Sequence, residues 1–299
     1  VEGEGAAYKV TGSQTLVGTS KNTFLYKLNE GTKAENYNIT KTEGTLSVYD
    51  RDAKYEITVV AKSSTEKYDG TEKKVSGFET LDFEFNGNTY TVSGLKAEAK
   101  GTDAGKYYTD VTGSAVVKDA GGNDVTRQFK VTAVPGVLTI TARDITLTSA
   151  TDSKEYDGEP LTNSEVTVGG DGFAEGEGAD YDVTGSQTLV GSSVNSFTYA
   201  MKEGTKAENY NVSKVEGTLT VTNRDAKYQI TVEANSGSYK YNGTRQTVSG
   251  LKNTTFVIEG KTYTVSGLEA EGTGTDAGTY AVDVTGTAVV KDAAGNDVT

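Results

Sequence analysis

The chain has 299 residues, enough for about two to four domains, and it is rich in Gly (36) and poor in Pro (2), with a formal net charge of −13. It contains neither Cys nor His, which excludes disulfides, thiolate or imidazole metal ligands, Cys nucleophiles and Ser-His-Asp catalysis. The acidic surface disfavours nucleic acid as a partner, and no apolar run approaches the ~20 residues that span a bilayer. We therefore expect a protein that is not an enzyme, carries no cofactor, binds no nucleic acid and does not insert into membranes.

An internal repeat organises the chain. The nine residues VTGSQTLVG occur at 10–18 and again at 183–191, and the same offset of 173 holds without insertion or deletion from position 1 to position 126. A long repeat without gaps indicates an array in which one structural unit is copied. Arrays supply length and multiple copies of a surface more often than they supply chemistry.

Each period of the repeat divides into two related modules, A and B. A Gly-led run of alternating residues is followed by an Arg-Asp pair and then by a Tyr-Asp/Asn-Gly triplet, and this order occurs three times. The order predicts a first A module at 1–50 that contains only its C-terminal part, a first B module at 51–141, a second A module at 142–223, and a second B module at 224–299 that is incomplete at its C-terminus. The triplets begin at Tyr68, Tyr156 and Tyr241.

The modules read as short strands joined by tight turns. Tyr55, Ile57 and Val59 alternate with polar residues, which is the pattern of a strand with one buried face. Asn86-Gly87 between two such runs predicts a type I′ hairpin, and the copy, which has Glu259 in place of Asn, predicts a somewhat different turn. The triplets predict turns that place their Tyr against the module core. No segment has a convincing amphipathic helical pattern, so we expect an all-β chain.

Two kinds of loop stand out. Asp-Ala-Gly-x-Tyr before an alternating strand is typical of the tyrosine corner of immunoglobulin-like sandwiches, where the Tyr hydroxyl bonds back to the corner backbone. It occurs at Asp103, Gly105 and Tyr107, and at Asp276, Gly278 and Tyr280. Loops with three oxygen-bearing side chains are candidate calcium sites or ordinary hairpin loops, because Ca²⁺ prefers several oxygen ligands. These loops contain Asp119, Asn123 and Asp124, and Asp292, Asn296 and Asp297.

The Arg-Asp start, the Tyr-Asp-Gly triplet, the Asp-Ala-Gly-x-Tyr corner and the closing Gly-Val-Leu-Thr-Ile-Thr at 136–141 occur in a fixed order. In this order they resemble the MBG/YDG-type tandem repeats of large bacterial surface adhesins. The resemblance implies an extracellular protein attached to the cell wall or envelope, in which such repeats act as stalks. It implies no binding residue, because these motifs define none.

We expect a monomeric, elongated rod of small β-sandwich modules of the immunoglobulin-like class, with β-grasp-like modules as the alternative, within a longer polypeptide. The expected function is that of a structural spacer that projects a distal binding domain from the cell. The alternative is that the repeats themselves bind host glycans or matrix proteins through multivalency. Tyr26 and Tyr199 are shared positions at which such binding can be tested.

Overall fold

The computed structural model describes residues 1–299 and is all-β, as the sequence predicted. Its only helices are three single 3₁₀ turns, and none of them has the length or apolarity to cross a membrane. The chain divides into two compact units, 1–142 and 143–299, and each spans, to within one residue, the predicted bounds of an A module and a B module. Every strand pair joins strands of one module. The 3₁₀ turns span Ala34–Asn36, Thr126–Gln128 and Ala207–Asn209.

The first A module contains two separate antiparallel pairs, β1 with β3 and β2 with β4. Its apolar side chains remain largely half-buried or exposed, because there are few strands to cover them. The strands are β1 (Ala6–Val10), β2 (Gly18–Asn22), β3 (Phe24–Leu28) and β4 (Gly44–Val48).

The first B module has nine strands in three small sheets: β5 (Tyr55–Val60), β6 (Ser64–Lys67), β7 (Lys73–Ser76), β8 (Asp82–Phe85), β9 (Asn88–Gly101), β10 (Gly105–Tyr108), β11 (Asp110–Asp119), β12 (Phe129–Val134) and β13 (Val137–Thr141). The closing strands β12 and β13 run parallel to β5 and β6, and β13 also pairs antiparallel with β10. The long strand β9 carries β7, β8 and β11. Ile57, Val59, Val92, Val117 and Phe129 form the centre of its core.

Special backbone conformations fix the turns of this module. Asn86 and Gly87 have φ of 51° and 75°, as expected for the type I′ hairpin. The expected difference in the copy is wrong, because Glu259 and Gly260 have φ of 48° and 79°. Where β11 crosses β9 the register shifts, and a Cβ on Gly113 (φ 95°) would stand 2.1 Å from the Gly94 carbonyl oxygen.

The second A module has eight strands: β14 (Arg143–Ser149), β15 (Asp152–Glu155), β16 (Val166–Gly170), β17 (Ala179–Val183), β18 (Gly191–Asn195), β19 (Phe197–Met201), β20 (Tyr210–Val215) and β21 (Gly217–Thr222). The first strand, β14, lies between β16 and β20, and β21 lies between β15 and β18. Both pairs β14–β20 and β15–β21 are parallel. Ile145 and Leu147 of β14 are fully buried, which makes this strand the centre of the module.

The second B module has only four strands, β22 (Gln246–Ser249), β23 (Thr255–Ile258), β24 (Lys261–Gly274) and β25 (Asp283–Lys291), all in one sheet. Residues 228–233, 237–240 and 278–281 match β5, β6 and β10 by the repeat offset but form no strand. Tyr241 does not pack against the module core as its triplet predicted. It is 68% exposed, whereas Tyr68 and Tyr156 are 3% and 8% exposed. Residues 224–299 match the first B module only as far as Thr126, so they include no counterpart of β12 and β13, which pair with the equivalent segments there.

Candidate functional site at the junction of the second A and B modules

Tyr156 lies where the second A module meets the second B module. Its backbone N–H donates to the Thr222 carbonyl at 2.9 Å, which continues the parallel pairing of β15 with β21. The side chain is 8% exposed and forms an apolar cluster with Leu161, Leu219 and Val221. Val298 of the second B module packs against this cluster. One small core therefore contains side chains of both modules.

Polar contacts fix the same junction. Lys261 Nζ donates to the Asp157 carbonyl oxygen at 2.6 Å and lies 2.8 Å from Glu159 Oε1. Arg224 Nη1 donates to the Tyr156 carbonyl oxygen at 3.2 Å. Gly158 allows this approach, because a Cβ on it would stand 2.9 Å from Lys261 Cδ. The Tyr-Asp-Gly triplet of the second A module thus forms a contact surface for the next module.

The Arg of the Arg-Asp pair has the same role in both B modules. The Arg224 guanidinium lies 4.2 Å from the ring centroid of Tyr228, and Arg51 lies 4.1 Å from that of Tyr55. Each Arg also donates Nε to a carbonyl two residues later at 3.1 Å. A cation over an aromatic face contributes about 0.5–1 kcal/mol at exposed sites. The contact between this Arg and Tyr therefore fixes the start of each B module, next to the preceding A module.

The electrostatics of the junction follow from burial and hydrogen bonding. Burial, followed by interaction with the Tyr263 hydroxyl, raises the pKa of the Tyr156 phenol, so this side chain is neutral at physiological pH. The hydrogen bond from Lys154, at 2.8 Å, lowers the pKa of the Asp157 carboxyl. An uncharged, buried phenol with exposed ion pairs around it is typical of a packing contact between two modules.

An open pocket of about 450 Å³ adjoins Tyr156. Tyr228, Ile258 and Tyr263 line it, and their counterparts in the first B module are Tyr55, Phe85 and Tyr90. Those three rings surround Phe129 with centroid distances of 5.5, 5.6 and 4.8 Å. The pocket therefore has the shape and lining of an aromatic side-chain site.

Both Asp-Ala-Gly-x-Tyr segments form a hydrogen bond across the corner. Tyr107 Oη donates to the Asp103 carbonyl at 2.9 Å, and Tyr280 Oη donates to that of Asp276 at 3.1 Å. Each ring lies over a glycine, and a Cβ on Gly101 would stand 2.3 Å from the Tyr107 ring. Gly105 and Gly278 lie within these corners, two residues before the Tyr. The two corners differ in exposure: Tyr107 is half-buried beside β13, whereas Tyr280 is 48% exposed.

The acidic loops use their oxygens to close their own turns. Asp119 Oδ1 accepts from the backbone N–H groups of Gly121 and Asn123 at 2.9 Å each, and Asp124 Oδ1 accepts from the Thr126 hydroxyl at 2.6 Å. The Asn123 side-chain hydrogen bond is the largest cause that lowers the pKa of Asp119. No group of three or more acidic side chains is arranged to hold a metal ion. In the copy, Asp292 accepts from Asn296 at 2.8 Å and Asp297 accepts from the Thr299 hydroxyl at 2.7 Å.

Tyr26 and Tyr199 occupy equivalent cross-strand positions in the two A modules. Tyr26 lies opposite Tyr8, and Tyr199 lies opposite Tyr181. The two residues are 39% and 38% exposed, but their partners differ, since Tyr8 is 71% exposed and Tyr181 is half-buried. Each A module therefore presents a pair of neighbouring tyrosines.

Sequence reasoning did not single out Lys261, which joins the two modules. Its counterpart in the first B module is Asn88, so the repeat gives no signal at this position. No family model matches the chain, and no curated protein or solved structure matches it significantly. The resemblance to surface repeats, the cellular location and the function therefore stay predictions.

Proposed function

We propose that these residues are spacer repeats of a bacterial surface adhesin, built from immunoglobulin-like modules in an elongated rod that projects a distal binding domain. The observation that carries the proposal is the Tyr156 junction. A spacer must resist bending between modules, and here β21 ends at Thr222 while Arg224, two residues later, already bonds back to Tyr156. A link this short, without a run of Gly or Ser, is not a flexible linker.

The strength of the junction comes from its buried side chains more than from its charges. Tyr156 and Val298 share an apolar cluster, and a fully buried apolar side chain contributes about 1.5–3 kcal/mol. The Lys261–Glu159 pair is more exposed, since the Glu159 side chain is 65% exposed, and surface pairs contribute about 0–1 kcal/mol. We therefore expect Tyr156 to hold the modules together and Lys261 to select their relative orientation.

The proposal can be tested by a distance across the junction. The chain has no Cys, so spin labels can be placed at V194C and V257C, two exposed strand positions on either side. In the full chain we expect one narrow distance distribution, and we expect Tyr156→Ala to broaden it. Lys261→Asn introduces the residue of the first B module and should shift or broaden the distribution less. Asn88→Lys, the reverse substitution in the first unit, is the matched control. A distribution that is equally broad with and without Tyr156 would contradict the spacer proposal.

A second candidate function is binding of host glycans or matrix proteins by the repeats themselves. The equal exposure of Tyr26 and Tyr199 favours it, because a contact that is repeated in both A modules gains avidity. The test is binding of the full chain to a glycan and matrix-protein array, with calcium and with chelator. Saturable binding that is lost in the double variant Tyr26→Ala/Tyr199→Ala would support this function. Binding lost only with chelator would assign a role to the Asp119 loop instead.

A further inference from the structure

A groove of about 660 Å³ opens along one side of the second B module. Its walls are residues 237–240 and 278–280, two segments without strand partners. Tyr239, Tyr241 and Tyr280 line it and are 57%, 68% and 48% exposed. The only charged lining residues are Lys240 and Asp276. Unpaired backbone groups beside exposed aromatic side chains are the features of an edge that accepts an added strand.

The first B module shows what fits this place. There, β13 runs between the two equivalent segments, parallel to β6 and antiparallel to β10. Leu138 pairs with Ser64 and Tyr107, whose counterparts are Gly237 and Tyr280. The side chains of Leu138 and Ile140 are 0% and 2% exposed. An occupant of the groove therefore needs apolar residues two positions apart in an extended conformation.

The pocket beside Tyr156 extends this match. In the first B module, β12 runs parallel to β5, and Phe129 at its start enters the aromatic cage described above. Residues 228–233, the counterpart of β5, have no strand partner, and Tyr228 and Ile230 line the open pocket. The two openings of the second B module thus correspond to the two consecutive strands of one short segment, residues 129–141.

We propose that residues 224–299 bind a polypeptide segment with the chemistry of residues 129–141: an aromatic residue first, then a Gly, then alternating apolar residues. The strand would lie parallel to residues 237–240 and antiparallel to residues 278–281. The three Gly-led closing strands within residues 1–299 are already paired in their own modules. The occupant is therefore a strand from outside these residues.

A glycine requirement makes the proposed recognition specific. In the first B module a Cβ on Gly136 would stand 2.1 Å from the Lys62 carbonyl oxygen and 2.6 Å from that of Ala61. The counterparts of these backbone groups, at Asn235 and Ala234, line the groove of the second B module. A segment with Ala in place of this Gly meets backbone on the acceptor, which cannot move aside as a flexible side chain can.

The experiment uses the full chain and a labelled synthetic peptide of residues 127–142, followed by fluorescence anisotropy and amide hydrogen exchange. We expect saturable binding at one site, with new protection at residues 228–233, 237–240 and 278–281. The first B module is the internal control, because its own β12 and β13 occupy the equivalent places and its protection should not change.

Two variant peptides test the pose. Leu138→Lys/Ile140→Lys should weaken binding at least about a hundredfold, about tenfold for each buried side chain. Gly136→Ala should weaken it at least about tenfold, because even a small steric misfit against fixed backbone costs a factor of this size. Absence of binding, or equal binding of all three peptides, would overturn the proposal. A stable dimer of the chain alone that protects residues 237–240 and 278–281 would also overturn it and assign the groove to a second copy.

Discussion

The two B modules have closely similar sequences over their shared length but differ in structure. In residues 51–141, nine strands surround a core in which Ile57 and Val59 are 1% and 0% exposed. In residues 224–299, four strands form one sheet, and the counterparts Ile230 and Val232 are only half-buried. The part that both modules retain is the sheet built on the long strands β9 and β24. This antiparallel sheet is present in both modules, whereas the strands β5, β6, β10, β12 and β13 are found only in the module that contains the closing segment, residues 127–141.

The two A modules differ in a similar way, but here the strand that only one of them contains is the first strand of the module rather than the last. In the second A module, β20 forms on β14, and the fully buried Ile145 and Leu147 of β14 fill the core. Residues 1–50 include no counterpart of β14, and within them residues 37–42 form no strand although they match β20. In both module types the parallel pairing of first and last strands completes the core. Parallel strands are distant in sequence, so neither can pair when the other is absent.

The largest expected effect comes from the same core substitution in both B modules. Ile57→Ala removes a fully buried side chain and should reduce the free energy of opening of its module by about 2–5 kcal/mol. Ile230→Ala removes a half-buried side chain and should cost less than half of that. Hydrogen exchange at the amides of β9 and β24 in the full chain measures each module separately. Equal losses would show that the two cores are equally complete.

A second pair of variants tests the sheet that both modules share. Gly113 and Gly286 have φ of 95° and 99°, and a Cβ on either would stand 2.1 or 2.2 Å from a carbonyl oxygen of the facing strand. Substitution by Ala should therefore destabilise both modules alike, on the order of 2 kcal/mol each. The same exchange measurement checks this. A cost in only one module would mean that the crossing of the long strands also depends on the closing segment.

The third prediction concerns alkaline pH and the two A modules. Tyr210 is 6% exposed, and burial together with a hydrogen bond to Glu177 raises its pKa to about 12 from the ordinary value of 10.0. Because the folded state favours the protonated phenol, this stabilisation is complete below pH 10 and is lost as the pH rises from 10 to 12. Tyr210→Phe should cost about 1 kcal/mol at neutral pH and reduce the loss of stability above pH 10.

Tyr37, its counterpart, is the control. It is 38% exposed, and Tyr37→Phe should change the alkaline unfolding of the chain much less. Tyrosine absorbance and circular dichroism, recorded between pH 8 and pH 12 in steps of about one pH unit, give the alkaline unfolding curve of each variant. Identical curves for the Tyr210 and Tyr37 variants would contradict the role of burial.

The smallest effect is expected at the hairpin turns. Glu259 has positive φ, which costs a residue with a long side chain more than it costs Asn. Glu259→Asn should stabilise the second B module by about 0.5 kcal/mol, and Asn86→Glu should destabilise the first by a similar amount. The Tyr contact remains available, since Asn86 Nδ2 donates to Tyr55 Oη at 2.8 Å and Glu259 accepts from Tyr228 at 2.5 Å. Thermal unfolding of both variants measures the change.

Local patterns predicted the strands and turns that depend on neighbouring residues. Alternation located β5, and the Asn-Gly pair located the first hairpin. The same alternation at Tyr228 and Ile230 gives no strand, because a pattern specifies which face a strand would bury but not whether a partner is present. The prediction that Tyr241 packs against the module core is wrong for the same reason. The sequence also could not reveal the parallel pairings, which join residues 67 or 74 positions apart, such as Phe129 with Tyr55.

The candidate site was less predictable than the fold. The triplet indicated a turn with a buried Tyr at 156, and the structure adds that the next module supplies part of that burial through Val298. The contact of Lys261 with Asp157 spans 104 positions and has no equivalent in the other copy, so neither spacing nor repetition pointed to it. Tertiary contacts between modules leave no periodic signal in a sequence.

In the first B module, the closing segment 127–141 completes the core. Hydrogen exchange of the chain, compared with that of a variant in which residues 127–141 are repeated directly after Thr299, tests whether the same segment completes the second B module. We expect new protection at residues 228–233, 237–240 and 278–281 and burial of Tyr241, with no change at β9. Unchanged exchange in these three segments, with the added residues unprotected, would contradict the claim.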